Sequence, residues 1–369
     1  MLGRVGKNSG LTNRQKKQHL EQLAAFREET LRPHPILRTL FIEMTQRCNE
    51  HCLHCGSLCD ASDRADRLSY EEIVAFLKGI KQDFDISRLR LCVTGGEPLL
   101  RDDFFDIMDA AHRLGFSWGM TSNATLITPE KARLLKATGM RTVSVSVDGL
   151  EADHEWFRQS PGSYQRTMTG IQNLLDVGFE HVQITTVVHH RNFKTLEAMY
   201  DSFSKTGVRS WRVINMEPMG RALEHPELLL TPEEYRGMFD FIAAHRTKGA
   251  MTVGYGCSHF LGVDREREVR PWYFLCNAGV YTASITVNGD IVSCLDLPRR
   301  PELVEGNIRE HHFKEIWENG FAIYRTDFRK TGKCADCADY RYCAGDSFHS
   351  WDFDRMEPRI CMRDVLKGK

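Results

Sequence analysis

The chain has 369 residues, 41% of them hydrophobic and 27% charged, with a formal net charge of −1. That length supports one large domain with a smaller one attached. The near-zero charge gives no global field toward nucleic acid or a membrane surface, and no stretch approaches the roughly 20 apolar residues of a bilayer span. The opening MLGRVGKNSGLTNRQKKQHL lacks the apolar segment of a secretory signal. These features predict a cytoplasmic protein with no nucleic-acid and no membrane partner. Residues 1–36 are polar and read as an extension with one helix, around Thr12–Glu29, that ends before Pro33. From Leu37 onward, strands are predicted at Leu40–Met44, Leu89–Val93, Ser117–Met120, Thr142–Val147, Val182–Val188 and Arg209–Asn215. Helices fall between them at Tyr70–Lys81, Asp103–Leu114, Pro129–Ala137, Tyr164–Val177 and Phe193–Lys205. Strands alternating with helices imply parallel βαβ units. Six such strands suit an open, partial barrel as well as a doubly wound sheet. Either way the active site belongs at the carboxyl ends of the strands.

This α/β core spans residues 37–230. Residues 231–250 form a link containing the helix Thr231–His245, and residues 251–369 form a second, Cys-rich domain of shorter elements. The run Ile285–Val292, with Asn288-Gly289 between β-branched residues, predicts a hairpin.

The chain has 12 cysteines. In a reducing cytosol this points to metal binding or catalysis more than to disulfides. They are clustered: Cys48, Cys52, Cys55 and Cys59 follow the first strand, and Cys257, Cys276, Cys294, Cys334, Cys337, Cys343 and Cys361 lie in the last third. The first three form a C-x3-C-x2-C loop in Cys48-Asn49-Glu50-His51-Cys52-Leu53-His54-Cys55. Three thiolates on one loop can hold an iron–sulfur cluster and leave one iron open, since such clusters normally take four. Zinc sites favour C-x2-C pairs, so zinc or loose thiols fit this spacing less well.

The loop resembles the signature of the radical S-adenosylmethionine (SAM) superfamily. That resemblance implies a partial (β/α)6 TIM-like barrel over about residues 37–230, a 4Fe–4S cluster on Cys48, Cys52 and Cys55, and SAM chelated to its open iron. It also implies reductive cleavage of SAM to methionine and a 5′-deoxyadenosyl radical. Thr94-Gly95-Gly96-Glu97-Pro98, directly after the second strand, resembles the family's GGEP motif. The resemblance gives Gly95, Gly96 and Glu97 the SAM amino group. Asn123 after strand three and Ser146 after strand four match segments that line the SAM ribose and carboxylate. Arg158 and Arg166 are candidates to pair with that carboxylate, although arginines on a helix are commonly solvated. Cys59 lies outside the signature. Pro218-Met219-Gly220-Arg221-Ala222 is also similar to this branch of the family, with no chemistry assigned to it.

The last third resembles the SPASM domain, a small α+β module that binds auxiliary 4Fe–4S clusters. By that resemblance Cys334, Cys337, Cys343 and Cys361 hold one cluster, although four such cysteines can also bind zinc. A second cluster falls to Cys257, Cys276, Cys294 and a fourth cysteine, but Ser347 stands at that fourth position. One or two auxiliary clusters are therefore expected, the incomplete one either open, closed by Asp346, Ser347 or His349, or absent. In anaerobic sulfatase maturases an Asp base directly follows the third cysteine. Here Leu295 follows Cys294 and Asp296 comes one later, which argues against that activity.

The resemblance implies an oxidoreductase that modifies a peptide by crosslinking, epimerisation or oxidation. Its partners are a peptide substrate, a separate leader-binding protein, and an electron donor such as flavodoxin or ferredoxin. The alternatives are a small-molecule enzyme such as a dehydrogenase and a sulfatase-maturase-like protein oxidase, and a non-catalytic iron–sulfur or zinc protein is a third class. The sequence names no catalytic acid or base.

Overall fold

The structure is a computed structural model that describes residues 11–57, 59, 68–256 and 259–367. Cys257 lies outside the described residues. The chain opens with α1 (Asn13–Phe26), started by a reciprocal cap in which Gln15 N donates to the Thr12 hydroxyl and Thr12 N to the Gln15 side chain. A widened turn, Arg27–Leu31, carries the helix toward Pro33. This extension docks on the Cys-rich end of the chain. Leu20 packs with Phe260, Tyr273 and Phe274, and the Arg27 guanidinium donates to the carbonyls of Arg341 and Tyr342.

The core then runs β1 (Thr39–Glu43), α2 (Tyr70–Asp83), β2 (Arg90–Thr94), α3 (Phe104–Leu114), β3 (Trp118–Ser122), α4 (Pro129–Ala137), β4 (Met140–Ser146), α5 (Glu151–Arg158), α6 (Ser163–Asp176), β5 (Val182–Val188), α7 (Leu196–Phe203), β6 (Ser210–Asn215), α8 (Pro232–His245) and β7 (Thr252–Tyr255). Neighbouring strands from β1 to β7 are all parallel. The result is an open partial barrel of βα units. Helices on its outer face explain why β5 is buried along almost its whole length. Two large indoles of the barrel find acceptors: Trp118 Nε1 donates to Thr138 O at 2.6 Å and Trp211 Nε1 to Thr186 Oγ1 at 2.8 Å. Each therefore buries its full apolar area without stranding a donor.

Two elements go beyond the sequence expectation. The helix α5 is short, with Trp156 and Phe157 as its only large apolar residues. Strand β7 pairs with β6 from Ser210↔Thr252 onward, so the sheet runs through the boundary expected near residue 250. Its four residues, Thr252-Val253-Gly254-Tyr255, do alternate, but the run is short and includes Gly254.

The remainder comprises α9 (Gly262–Val269), β8 (Thr282–Ile285), β9 (Asp290–Val292), β10 (Gly306–Asn307), α10 (Phe313–Asn319), α11 (Ala322–Arg325), α12 (Tyr340–Cys343), β11 (Trp351–Asp352), β12 (Glu357–Pro358) and α13 (Met362–Lys367). The predicted hairpin forms between β8 and β9, with Gly289 at φ +89° in its turn. Strand β8 also pairs in parallel with β1. One ten-stranded sheet, ordered β10-β9-β8-β1-β2-β3-β4-β5-β6-β7, thus crosses both parts of the chain. No described helix is long and apolar enough to cross a membrane.

Candidate active site

The loop that leaves β1 carries Cys48, Cys52 and Cys55, and the exits of several other strands hold it. After β2, Gly96 N donates to Thr45 O and Glu97 N to Arg47 O, both at 2.8 Å. A Cβ on Gly96 would stand 2.1 Å from Arg47 O, and one on Gly95 2.4 Å from Thr45 O. Backbone passes directly over backbone here, so only glycine fits. After β3, Asn123 Nδ2 donates to Asn49 Oδ1 at 2.8 Å. From α5, the carbonyls of Phe157 and Arg158 accept from Leu53 N and His51 N. After β6, Arg221 N donates to Cys55 O at 3.1 Å. The Arg221 guanidinium reaches Cys52 O at 2.7 Å and Cys59 O at 2.9 Å. Gly220, at φ +54°, sits where a Cβ would meet Cys55 O at 2.3 Å.

Arg158 has other partners than a SAM carboxylate. Its guanidinium bridges Glu50, within the cysteine loop, and Asp148, just past β4, each at 2.7 Å. All three side chains are buried. Burial opposes the charge on Arg158, but Asp148, Cys52 and Glu50 hold it firmly protonated. Arg166 lies apart on α6 and donates to Pro161 O and Ser160 Oγ. Ser146 ends β4, half-buried.

Glu97 is fully buried. Its carboxylate accepts from Ser122 Oγ and Asn123 N at 2.9 Å and from Leu99 N at 3.3 Å. Burial outweighs these donors and pushes its pKa up to about 7. The thiols of the loop carry no disulfide. Burial pushes Cys48 up to about 12 and raises Cys52 further. A hydrogen bond with Cys59, then the nearby Arg221 charge, bring Cys55 down to about 5. Cys59, a bystander on spacing, is therefore a contact of the third loop thiol.

Among the described residues, no three thiol, imidazole or carboxylate groups stand at metal-ligating spacing. The donor chemistry nevertheless fits a three-thiolate cluster. The Cys52 carbonyl and the Asn49 side chain are taken by neighbours, the loop's three thiols are not paired as disulfides, and the Arg158 cation stands beside Cys52. Glu50, Asn49, Asp148 and Arg221 were not recognised from sequence. Two had a signal: Arg221 by its place in the Pro218–Ala222 segment, and Asp148 by its place two residues past Ser146 in the segment that resembles the family's SAM-lining one.

In the C-terminal region, Cys334, Cys337, Cys343 and Cys361 all line one cavity of about 90 Å³. Arg363 Nη1 donates to Cys337 Sγ at 2.8 Å. Four thiols around one cavity with a cation on one sulfur fit an anionic metal–thiolate group. Cys276 and Cys294 both lie within electrostatic reach of the Tyr324 hydroxyl. Of the candidate substitutes near Ser347, Asp346 is occupied: its oxygens bind His259 Nδ1 at 2.8 Å and Phe260 N at 3.0 Å. Ser347 is buried, and His349 is half-buried beside Glu217. Asp296 turns back to the side of Cys294, whose Sγ lies 3.8 Å from Oδ2, while Leu295 points inward.

A larger cavity, about 690 Å³, lies where the two regions meet. Glu43 and Gln46 at the exit of β1, the β8–β9 turn, Cys294 and Arg299 line it. Glu43 is buried there and fixes the junction, accepting from Val287 N at 3.0 Å and Arg299 Nη2 at 2.7 Å.

Residues 42–203 match the family model of the radical SAM superfamily, and residues 276–338 match the SPASM iron–sulfur cluster-binding domain. The chain carries a radical SAM domain followed by a SPASM domain. It is similar to the AdoMet-dependent heme synthase of Nitratidesulfovibrio vulgaris, 29% identical over 84% of this chain and 87% of that protein. It is also similar to the mycofactocin maturase MftC of Mycolicibacterium smegmatis, 26% identical over 82% of this chain and 76% of that one. Its fold resembles Streptococcus suis SuiB bound to S-adenosylmethionine, with a TM-score of 0.69 at 15% identity over 93% of this chain and 80% of SuiB. SAM and 4Fe–4S clusters are the cofactors these two domains imply.

Proposed function

We propose that this radical SAM protein is an oxidoreductase that starts hydrogen abstraction on a peptide substrate held between its two domains. The observation that carries the reading is the grip of several strand exits on the Cys48–Cys55 loop, at the carboxyl end of a parallel barrel. Cys48, Cys52 and Cys55 would hold the first cluster, which when loaded supplies the electron that splits SAM. Gly95 and Gly96 bring backbone close to the loop, and the buried Glu97 beside them would meet the SAM ammonium, with Asn123 toward its ribose. Ser146 sits at the neighbouring strand exit. Arg158 keeps the loop in register through Glu50 rather than touching SAM. The SPASM cysteines Cys276, Cys294, Cys334, Cys337, Cys343 and Cys361, with Cys257 a further candidate, would hold the auxiliary clusters, which when loaded would supply an acceptor for the electron released from the substrate radical. The 690 Å³ cavity, with Cys294 in its wall, is the proposed substrate chamber. A flavodoxin or ferredoxin would supply reducing electrons and a separate protein would present a leader peptide, both in the cytoplasm.

The similarity to mycofactocin maturases supports the peptide reading. A specific observation favours a second one: the heme synthases share more identity, 29%, so a small tetrapyrrole is the alternative substrate class. Anaerobic protein with SAM and dithionite should release 5′-deoxyadenosine and methionine. A peptide encoded beside the gene should accelerate that release and gain a mass change. Acceleration by an iron-porphyrin carboxylate instead would replace the peptide reading, and no 5′-deoxyadenosine at all would end both.

Glu97 gives a further expectation. A charge-assisted hydrogen bond to the SAM ammonium contributes roughly 1.5–3 kcal/mol, so Glu97→Gln should lose about ten- to a hundredfold in SAM affinity and keep its iron. Because burial raises this carboxyl to about 7, it is protonated below that pH and lacks the charge that ammonium needs. SAM affinity of the wild-type protein should therefore fall as pH drops through about 7, and Glu97→Gln should abolish that dependence. Calorimetric titration across pH checks both.

A further inference from the structure

Arg329 is a buried cation without a carboxylate of its own. It is 5% exposed and sits in the loop after α11. Among the described residues no ion pair to Asp or Glu involves it. Its Nη1 donates to Asp346 O at 2.5 Å, with Gly345 O at 3.4 Å, and its guanidinium lies 3.5 Å over the Phe348 ring. Gly345 is held at φ +81°, and a Cβ there would stand 2.7 Å from Arg329 Cβ. The chain thus wraps the side chain closely. The nearest carboxylate, Asp346, is engaged by His259 and Phe260. An isolated charge in such a place is costly unless something anionic compensates it.

Its surroundings name the compensation. Arg329 lines a narrow cavity together with Cys276 and Cys343. Cys343 also lines the neighbouring cavity shared by Cys334, Cys337 and Cys361. The guanidinium therefore lies between the two SPASM cysteine groups. Arg363 approaches the four-cysteine group separately, with its N–H on Cys337 Sγ.

We propose that Arg329, with Arg363, is the built-in counter-charge of the SPASM thiolates and sets the reduction potential of the cluster on Cys334, Cys337, Cys343 and Cys361. Net charge and hydrogen bonds to sulfur are the protein's levers on that potential. A fixed cation favours the more negative, reduced state. It makes this cluster a better acceptor for the electron that the proposed substrate oxidation releases, and the inference rests on that reading of the SPASM domain as an electron acceptor. Arg329 acts through the cluster and touches no substrate, so it is a positioning residue in this scheme.

The test uses the full chain with Cys48, Cys52 and Cys55 changed to Ala, so that only auxiliary clusters remain. After reconstitution, iron is counted and a reductive titration is followed by EPR. Arg329→Gln should shift the midpoint to more negative potential with iron per chain unchanged, while Arg329→Lys should stay near the parent. Arg363→Gln, at a partly exposed rim where folding is not at risk, should shift in the same direction. An unchanged midpoint in either Gln variant at full iron overturns the proposal, as does zinc in place of iron in the parent. If Arg329→Gln does not accumulate, Arg363→Gln alone decides. No SAM turnover enters the measurement, so the outcome is separate from that of the deoxyadenosine assay.

Discussion

The protein with Cys48, Cys52 and Cys55 all changed to Ala should produce no 5′-deoxyadenosine above background under anaerobic conditions with dithionite. It should fold, because beyond weak contacts of Cys52 with Glu50 and of Cys55 with Cys59 the loop is fastened by Arg221, Asn123 and the backbone of Gly96 and Glu97. It should also retain iron in the SPASM cysteines, so the whole-protein count falls by one cluster's worth rather than to zero. Circular dichroism, iron analysis and product chromatography on one preparation separate these points. Undiminished 5′-deoxyadenosine would show that SAM is split elsewhere.

Arg158→Met should be the most destabilising single change at the site. It leaves Glu50 and Asp148 buried and unpaired, and breaking a buried pair by removing one partner costs roughly 3–5 kcal/mol. Asp148 also accepts from Val187 N at 2.8 Å, and its pKa is lowered: burial opposes, but Arg158 and the nearby histidines prevail. A depressed carboxylate contributes stability above its unfolded value of 3.8, lost as pH falls through the lower folded value. Wild-type stability should therefore drop in that acid range, and the drop should be smaller in Arg158→Met. Urea unfolding at neutral pH and below pH 4 measures both effects. Equal stability of the two proteins at neutral pH would mean the Glu50–Arg158–Asp148 bridge carries no net energy.

The parts of this site that were legible in sequence are local. Cys48, Cys52 and Cys55 declare themselves by spacing, and Gly95-Gly96 by a strand exit that needs backbone proximity. The parallel core follows from alternating periods of two and 3.6 residues. What was missed depends on distant partners. Arg158 reads as a candidate for the SAM carboxylate, and its buried partner Glu50, 108 positions away, carries no signal of the pairing. Arg221 is 169 positions from the Cys52 carbonyl it holds. Counted along the expected register Asp296 faces away from Cys294, but Leu295 takes the inward position and returns Asp296 to the side of Cys294. Burial of a charge is a property of the assembled fold, which composition and periodicity do not encode.

The pairing of β8 with β1 bears on how the chain is made. β1 emerges early from the ribosome, but the strand that covers its outer edge comes much later; Val287, just past β8, is 244 positions beyond Glu43. Until then β1 presents an unpaired edge, and such edges recruit other chains. The cysteine loop hangs directly from β1, so the strand that carries it keeps an open edge until β8 is made. A shortened chain ending near residue 250 should therefore be aggregation-prone and poor at holding the first cluster, even though every residue of that cluster's loop is present.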